Sequence, residues 1–454
     1  MYPKYFVISA MLIVAASCSG PSALPEMRAV IDERLAMGAM STLVLDSDPV
    51  ILTAGLGPAL RAAVSTNEGY LGALALEREA MGQIGVAKSA RRPQLSANAN
   101  VGSIREIESD ANDITTTGVA GGINLSQLVY DGGASRASMN RSTAMALSAQ
   151  AERLAKGNEI ALKAAKSWID QWQYTERLRL MRVRASEMDT LVDQIERMAS
   201  SGMLDRASVD SARRQIVDVK LEESRLLAGQ SDARVLFTRY FKRRVSDLQK
   251  PAELVNAEKV RALVDDWHGA PLLQSQAAQF LAARAAVAEA RAAFRPRALF
   301  QAGARSPWEE NESTDLTVGL SMEYSFNDGG RRRNQLASAE ARMQAMDAQL
   351  TDAQRGLEAD LQAALSRLVA IERSTPLLAE KLRLSRSESQ TSRSQLMTGQ
   401  SNLRLVVEAE IEVYRAQDRQ IAMQAERAII LLTVAARTGA LSALIGLQDD
   451  SMRH

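Results

Sequence analysis

Cysteine and histidine, the side chains most used in nucleophilic catalysis and zinc binding, are scarce in this sequence. Cys18 is the only cysteine, and His268 and His454 are the only histidines. A lone cysteine rules out an internal disulfide framework, and one cysteine with two scattered histidines does not supply a zinc ligand set. Neither histidine stands in a nucleophile motif, and no glycine-rich phosphate loop is present. The expectation is therefore no catalytic constellation, no metal and no cofactor.

Cys18 has another chemistry open to it. Lys4 is followed by an apolar run and by the small residues Ala15, Ala16 and Ser17. That is the pattern of a secretory leader, and the run is too short for a spanning helix, which needs about 20 residues. The small residues before Cys18 resemble a bacterial lipobox, although Ala15 occupies the place where leucine is usual. Two outcomes stay open. Either the leader is cut before Cys18 and the thiol is acylated, or cleavage nearby discards the cysteine. Ser19 is not the aspartate that retains lipoproteins at the inner membrane.

The remaining candidates are charged residues and glycines, whose meaning depends on the elements that position them. Composition gives 46% hydrophobic, 24% charged and only 4% aromatic residues, with a net charge of +1. This suits close-packed, alanine-rich helices with solvated faces and shows no basic stripe for nucleic acid.

The chain is written twice. Asp131-Gly132-Gly133 is echoed by Asp328-Gly329-Gly330, and Gly202 by Gly399, both at an offset of 197. Arg92-Pro93 is echoed by Arg295-Pro296 at an offset of 203, so a loop between these landmarks differs in length. The expected division is a signal peptide (1–17), a lead-in (18–50), a first repeat (51–241), a linker (242–268), a second repeat (269–440) and a tail (441–454).

Within each repeat, a helix runs into Arg-Pro and two alternating segments follow. Strands are expected at about 94–103, 117–129, 297–305 and 315–326. Leu316, Val318, Leu320 and Met322 oppose Thr317, Gly319, Ser321 and Glu323, with the period of a strand. The lengths match tilted strands crossing a bilayer, with soluble hairpins as the alternative. The Asp-Gly-Gly turns combine residues that tolerate positive φ with a good helix cap, which makes Asp131 and Asp328 structural.

Long helices are expected at about 132–198 and 329–397. The second carries a seam from Leu336 through Met346, Leu357, Leu361 and Leu368 to Ile371, spaced by threes and fours as in a coiled coil. An ordinary long coiled coil fits equally well, and Pro376 should kink or break the helix. Four strands cannot close a barrel, and an open edge is not tolerated in lipid, so spanning strands imply several chains around one axis.

This order of parts, given twice over residues 50–440, resembles the TolC-like outer-membrane efflux family. The resemblance implies a mainly α fold: long helical hairpins form an α-barrel tunnel, and four β-strands per chain contribute to a shared trimeric barrel. It implies a homotrimer in the outer membrane and its lipid, extending into the periplasm. A periplasmic adaptor and an inner-membrane transporter would be its partners, docking through the helix-tip turns at Gly202 and Gly399. The family narrows its periplasmic entrance with acidic residues. Here Glu408 matches one such position, while Leu405 and Ser208 replace the others. Asp205 and Asp210 lie near the first-repeat tip, and Arg404 stands one helical turn before Glu408, placed to neutralise it. The function implied is a passive conduit for tripartite efflux or type I secretion, its cargo open. The rival reading is a lipid-anchored periplasmic adaptor or coiled-coil scaffold without a pore.

Overall fold

The computed structural model describes residues 55–106, 114–200, 206–243, 248–306, 314–398 and 403–447. The chain divides into two compact units, Met1–Ile51 with Lys242–Ser246 and Leu52–Phe241 with Asp247–His454. All the elements below belong to the second unit.

In chain order they are α1 (Leu56–Ser65), α2 (Glu68–Ser89), β1 (Gln94–Glu106), β2 (Ile114–Tyr130), α3 (Ala134–Ser200), α4 (Arg206–Phe241) and α5 (Ala257–Asp265). The second half adds α6 (Pro271–Ala292), β3 (Arg297–Arg305), β4 (Asp315–Glu323), α7 (Arg331–Met397), α8 (Leu403–Arg437) and α9 (Ala440–Leu444). The two repeats therefore share one plan: helix, strand pair, long helix, helix. Both α3 and α7 have 67 residues. At 1.5 Å per residue each is about 100 Å long.

The helices form a layer in the order α2, α3, α6, α7, and the far portions of α3 and α7 pack on α4 and α8. The α7 seam is buried at Met346, Leu357, Leu361, Leu368 and Ile371. Removing such a leucine side chain costs about 2–5 kcal/mol, so this stripe ties α7 to its neighbours. Around Trp168, the rings of Phe237 and Phe241 pack edge-on at 5.9 and 5.5 Å and hold α4 against α3. Helix α7 continues through Pro376. Just before it, the hydroxyls of Ser374 and Thr375 donate to the carbonyls of Ala370 and Ile371, both at 2.8 Å.

The four strands form one antiparallel sheet in sequence order, β1-β2-β3-β4. Leu95 pairs with Leu125, Leu125 with Ala302, and Ala302 with Val318; Ala97, Ile123, Ala304 and Leu316 form the adjacent row. Paired residues share a face, so one side of the sheet is apolar. The other carries Ser96, Asn98, Asn124, Ser126, Gln301 and Thr317. The apolar side is uncovered: Leu95, Val101, Leu316, Val318 and Leu320 are between 67% and 81% exposed. A bulge between Leu128 and Tyr130 reverses the parity at the end of β2. Among the described residues no helix is long and apolar enough to cross a membrane.

The strand-to-helix turns are built on glycines with positive φ: +68° at Gly132, +96° at Gly133, +65° at Gly329 and +87° at Gly330. A Cβ on Gly132 would lie 2.5 Å from Cβ of Arg295, whereas one on Gly329 would meet nothing within 4 Å. Gly329→Ala therefore carries only the conformational penalty, about 1–2 kcal/mol. Gly132→Ala adds a collision and is expected to lower the thermal midpoint clearly further. Equal losses for the two variants would show that the Arg295 contact is not a constraint.

Candidate functional site

The site has three parts: the turns below the sheet, the polar ties near the helical tip, and the cleft between them. At the first turn, the Asp131 carboxylate accepts from the backbone N–H of Gly133 at 3.0 Å and of Ser135 at 2.6 Å. At the second, Asp328 accepts from the N–H of Gly330 at 3.2 Å and of Arg332 at 3.1 Å. The helix-capping residue of α7 is Gly330 itself, and Asp328 reaches in from two residues upstream. An arginine braces each turn. Arg295 donates to the Gly132 carbonyl at 3.0 Å, and Arg332 donates to Asp328 at 2.8 Å while lying over the Phe294 ring.

Burial acts to raise the Asp131 carboxyl, but its hydrogen bonds from Ser135 and Gly133 outweigh it and hold the group below the ordinary carboxylate range. Asp328 is likewise lowered. Desolvation acts upward there, and the Arg332 hydrogen bonds and charge act downward and prevail.

Toward the tip, Gly202, Asp205 and Gly399 lie outside the described residues, as does Cys18 at the other end of the sequence. Asp210 is exposed on α4. Arg404 Nε stands 3.6 Å from Glu408 Oε1, one turn apart on α8, and both side chains are about half exposed. The structure does not bring Asp210 into this pair.

The buried carboxylate of α8 is Glu410, 5% exposed. It accepts from Ser389 Oγ and from Arg393 Nε at 2.6 Å on α7, and Arg184 on α3 approaches at 3.4 Å. Two turns further on, Arg177 of α3 grips Asp418 of α8 through two hydrogen bonds of 2.6 and 2.9 Å. These groups join three helices and were not singled out from the sequence. A signal for them exists in the repeat. Arg393 and Glu410 correspond, at the 197 offset, to Glu196 and Arg213. The same pair of positions keeps opposite charges with the signs reversed. Glu410 also falls in step with buried Val406 and Val413 on one face of α8.

Between the turns and the tip, a cleft of about 1230 Å³ is lined by residues of α2, α3, α6 and α7 together. Its wall includes Glu152, whose Oε1 accepts from Ser148, Ser275 and Gln279 at 3.0–3.1 Å. Behind it, Arg153 is 1% exposed and bonds to Glu77 and to Tyr70 Oη. The equivalent positions in the second repeat are Leu350, Phe280 and Leu273.

The model of the family described as outer membrane efflux protein matches residues 67–239 and 268–440, one match per repeat. The chain belongs to this family. It is an outer-membrane channel subunit of the kind that serves tripartite export, spanning outer membrane and periplasm. A search of the curated proteins finds no match. Among solved structures, the outer membrane protein VceC from Vibrio cholerae shares 17% identity. The alignment covers 85% of this chain and 96% of that one, with a TM-score of 0.76. The Campylobacter jejuni CmeC outer membrane channel shares 12% identity over 87% of this chain and 89% of its own, with a TM-score of 0.75. The open state of the Neisseria gonorrhoeae MtrE outer membrane channel shares 18% over 85% and 88%, with a TM-score of 0.72. At these identities the likeness concerns the fold. The strand pairs of this efflux protein are then its barrel portion, and the long helices its tunnel wall.

The lowered carboxyls make the turns pH-sensitive in a defined direction. A depressed native pKa contributes stability above the ordinary carboxylate value of about 3.9, and loses it as pH falls through the native value. Asp131→Asn should therefore lower the thermal midpoint at pH 7, with the deficit closing as pH drops below 4. A deficit independent of pH would mean that the carboxylate charge contributes nothing.

Proposed function

We propose that three copies of this chain close one twelve-stranded barrel and one helical tunnel, forming a passive conduit whose periplasmic end is held shut by polar ties between helices. The observation that carries this reading is the sheet. Its apolar face is bare, its other face is polar, and β1 and β4 are edges without a partner among the described residues. In lipid such edges must pair, and pairing β4 of one copy with β1 of the next closes the ring. In this assembly we take the cleft lined by α2, α3, α6 and α7 to face the axis, on the inner side of the wall. Four strands in each of three chains also exceed the eight with which known single-chain barrels begin.

The supply of energy and the choice of cargo belong to an inner-membrane transporter. A periplasmic adaptor would meet the helix tips around Gly202 and Gly399. Glu408 repeated by the three-fold axis puts negative charge at the entrance, reduced by Arg404 on the same helix. An acylated Cys18 would add a lipid anchor beside the barrel. The ties through Glu410 and through Arg177–Asp418 resist the outward shift of α7 and α8 that would widen the tip.

Single-channel recording of the purified protein in a planar bilayer, with its mass in detergent measured first, tests this. A trimer-sized species should give stable conductance, and Glu410→Ala should raise the conductance or the open time several-fold. No insertion, or a soluble monomer, would leave a scaffold as the better account. A conducting trimer indifferent to Glu410→Ala would remove that tie from the gate while leaving the pore intact.

A further inference from the structure

Positive charge is segregated at one level of this chain, against an overall balance of 55 basic and 54 acidic residues. The level is where strands become helices. No aspartate or glutamate occurs in residues 80–96, 132–151, 290–299 or 329–339, the stretches that enter and leave the sheet on its helical side; the carboxylates at this rim are Glu323, opposite Arg297 in the β3–β4 register, and the two turn residues Asp131 and Asp328. The two turn residues are committed to backbone N–H groups and Arg332. Arginines occupy the same stretches, and four of them recur in both repeats: Arg92 with Arg295 at the 203 offset, and Arg136 with Arg333 at the 197 offset. All four are exposed. Arg295 has a structural duty at the Gly132 carbonyl. Arg136 and Arg333 have no ion-pair partner among the described residues.

Helix stability does not explain Arg136 and Arg333. Each lies in the first turn of a 67-residue helix, where neither helix has an acidic residue and where the helix dipole disfavours a cation. Their direction follows from helical phase. At roughly 100° per residue, Arg333 is about 200° from Arg331, and Arg136 is about 140–180° from Arg141, Met145 and Glu152. Arg331, Arg141, Met145 and Glu152 all line the cleft. Arg136 and Arg333 therefore stand on the face away from the cleft, which the proposed assembly turns outward from the tunnel. Just above them, Tyr130, Tyr324 and Phe326 are exposed by 48%, 44% and 90% at the same ends of β2 and β4. Exposed aromatics at strand ends mark the depth of a membrane interface.

We infer that Arg136 and Arg333, repeated around the assembly, form a collar that binds anionic phospholipid headgroups of the inner leaflet of the outer membrane. The inference rests on the channel reading, which puts the helical side of the sheet in the periplasm. The occupant follows from charge complementarity and from continuity with the lipid-facing strands. An anionic surface attracts each nearby arginine by roughly fivefold in affinity, the equivalent of about 1 kcal/mol.

The test uses the full-length protein in detergent, equilibrated with equimolar phosphatidylglycerol and phosphatidylethanolamine of matched chains. Retained lipid is read by native mass spectrometry, and conductance is recorded in a phosphatidylcholine bilayer. Wild type should hold phosphatidylglycerol in excess. R136Q/R333Q should lower the ratio of the two lipids at least about fivefold while conducting normally, and R136K/R333K should keep most of the preference. Should the glutamine pair fail to assemble, R136Q and R333Q singly must each lose part of it. A conducting wild type that holds both lipids equally, or a preference untouched by glutamine at these positions, overturns the collar alone. A wild type that never conducts overturns the channel reading beneath it.

Discussion

A strand edge in hydrocarbon has no water to receive its N–H and C=O groups, and each group left unpaired costs several kcal/mol. Much else in this chain depends on that constraint. Its sheet has an uncovered apolar face and, among the described residues, two edges without a partner. In water the face would be a liability, and in lipid the edges would be. Lipid relieves the first, and pairing with further copies relieves the second. Oligomerisation is then a condition for the sheet to exist where its side chains place it, and the ring of helices follows from the same rotation.

The conversion from sheet to helix has to happen in few residues, because β2 and β4 must deliver α3 and α7 to fixed places beneath the barrel. Two consecutive glycines with positive φ turn the chain, and an aspartate ahead of them takes the N–H groups that the first helical turn leaves free. The opposing repeat helps hold the first turn: Arg295, at the entrance to β3, bonds to the carbonyl of Gly132 after β2. The antiparallel pairing of β2 with β3 brings these two places together. Local turn chemistry and sheet register thus support one another.

Where the physics is local, the sequence was readable. The strands announced themselves by alternation, the turns by Asp-Gly-Gly, and the α7 seam by its threes and fours, and these need only neighbours along the chain. Arg404 and Glu408 were legible for the same reason, being one turn apart. What escaped was set by contacts distant in sequence. Glu410 meets Arg184 across 226 residues and Arg177 meets Asp418 across 241, and no local pattern assigns such partners. Pro376 left a kink or a break open, and the break does not occur. Helix α7 runs unbroken from Arg331 to Met397, and hydroxyls just before the proline bond to the backbone. The reversed charges at 196/213 and 393/410 were in plain view, but they become informative only when the two halves are compared position by position.

That comparison also bears on how the halves avoid confusion with one another. They share a plan, and α2 and α6 both pack on α3, so a chain could in principle dock either half in the other's place. Their interiors forbid it. In the first half, Arg153 is buried against Glu77 and Tyr70, where the second half has Leu350, Phe280 and Leu273. Setting Arg153 against Phe280 would bury a charge without a partner, at a cost of about 3–5 kcal/mol. Replacing the trio by apolar residues would be tolerated energetically, so the ion pair is not needed for stability as such. Its effect is to make the correct neighbour the only cheap one, which a proposed ring of halves built on one plan requires at every contact.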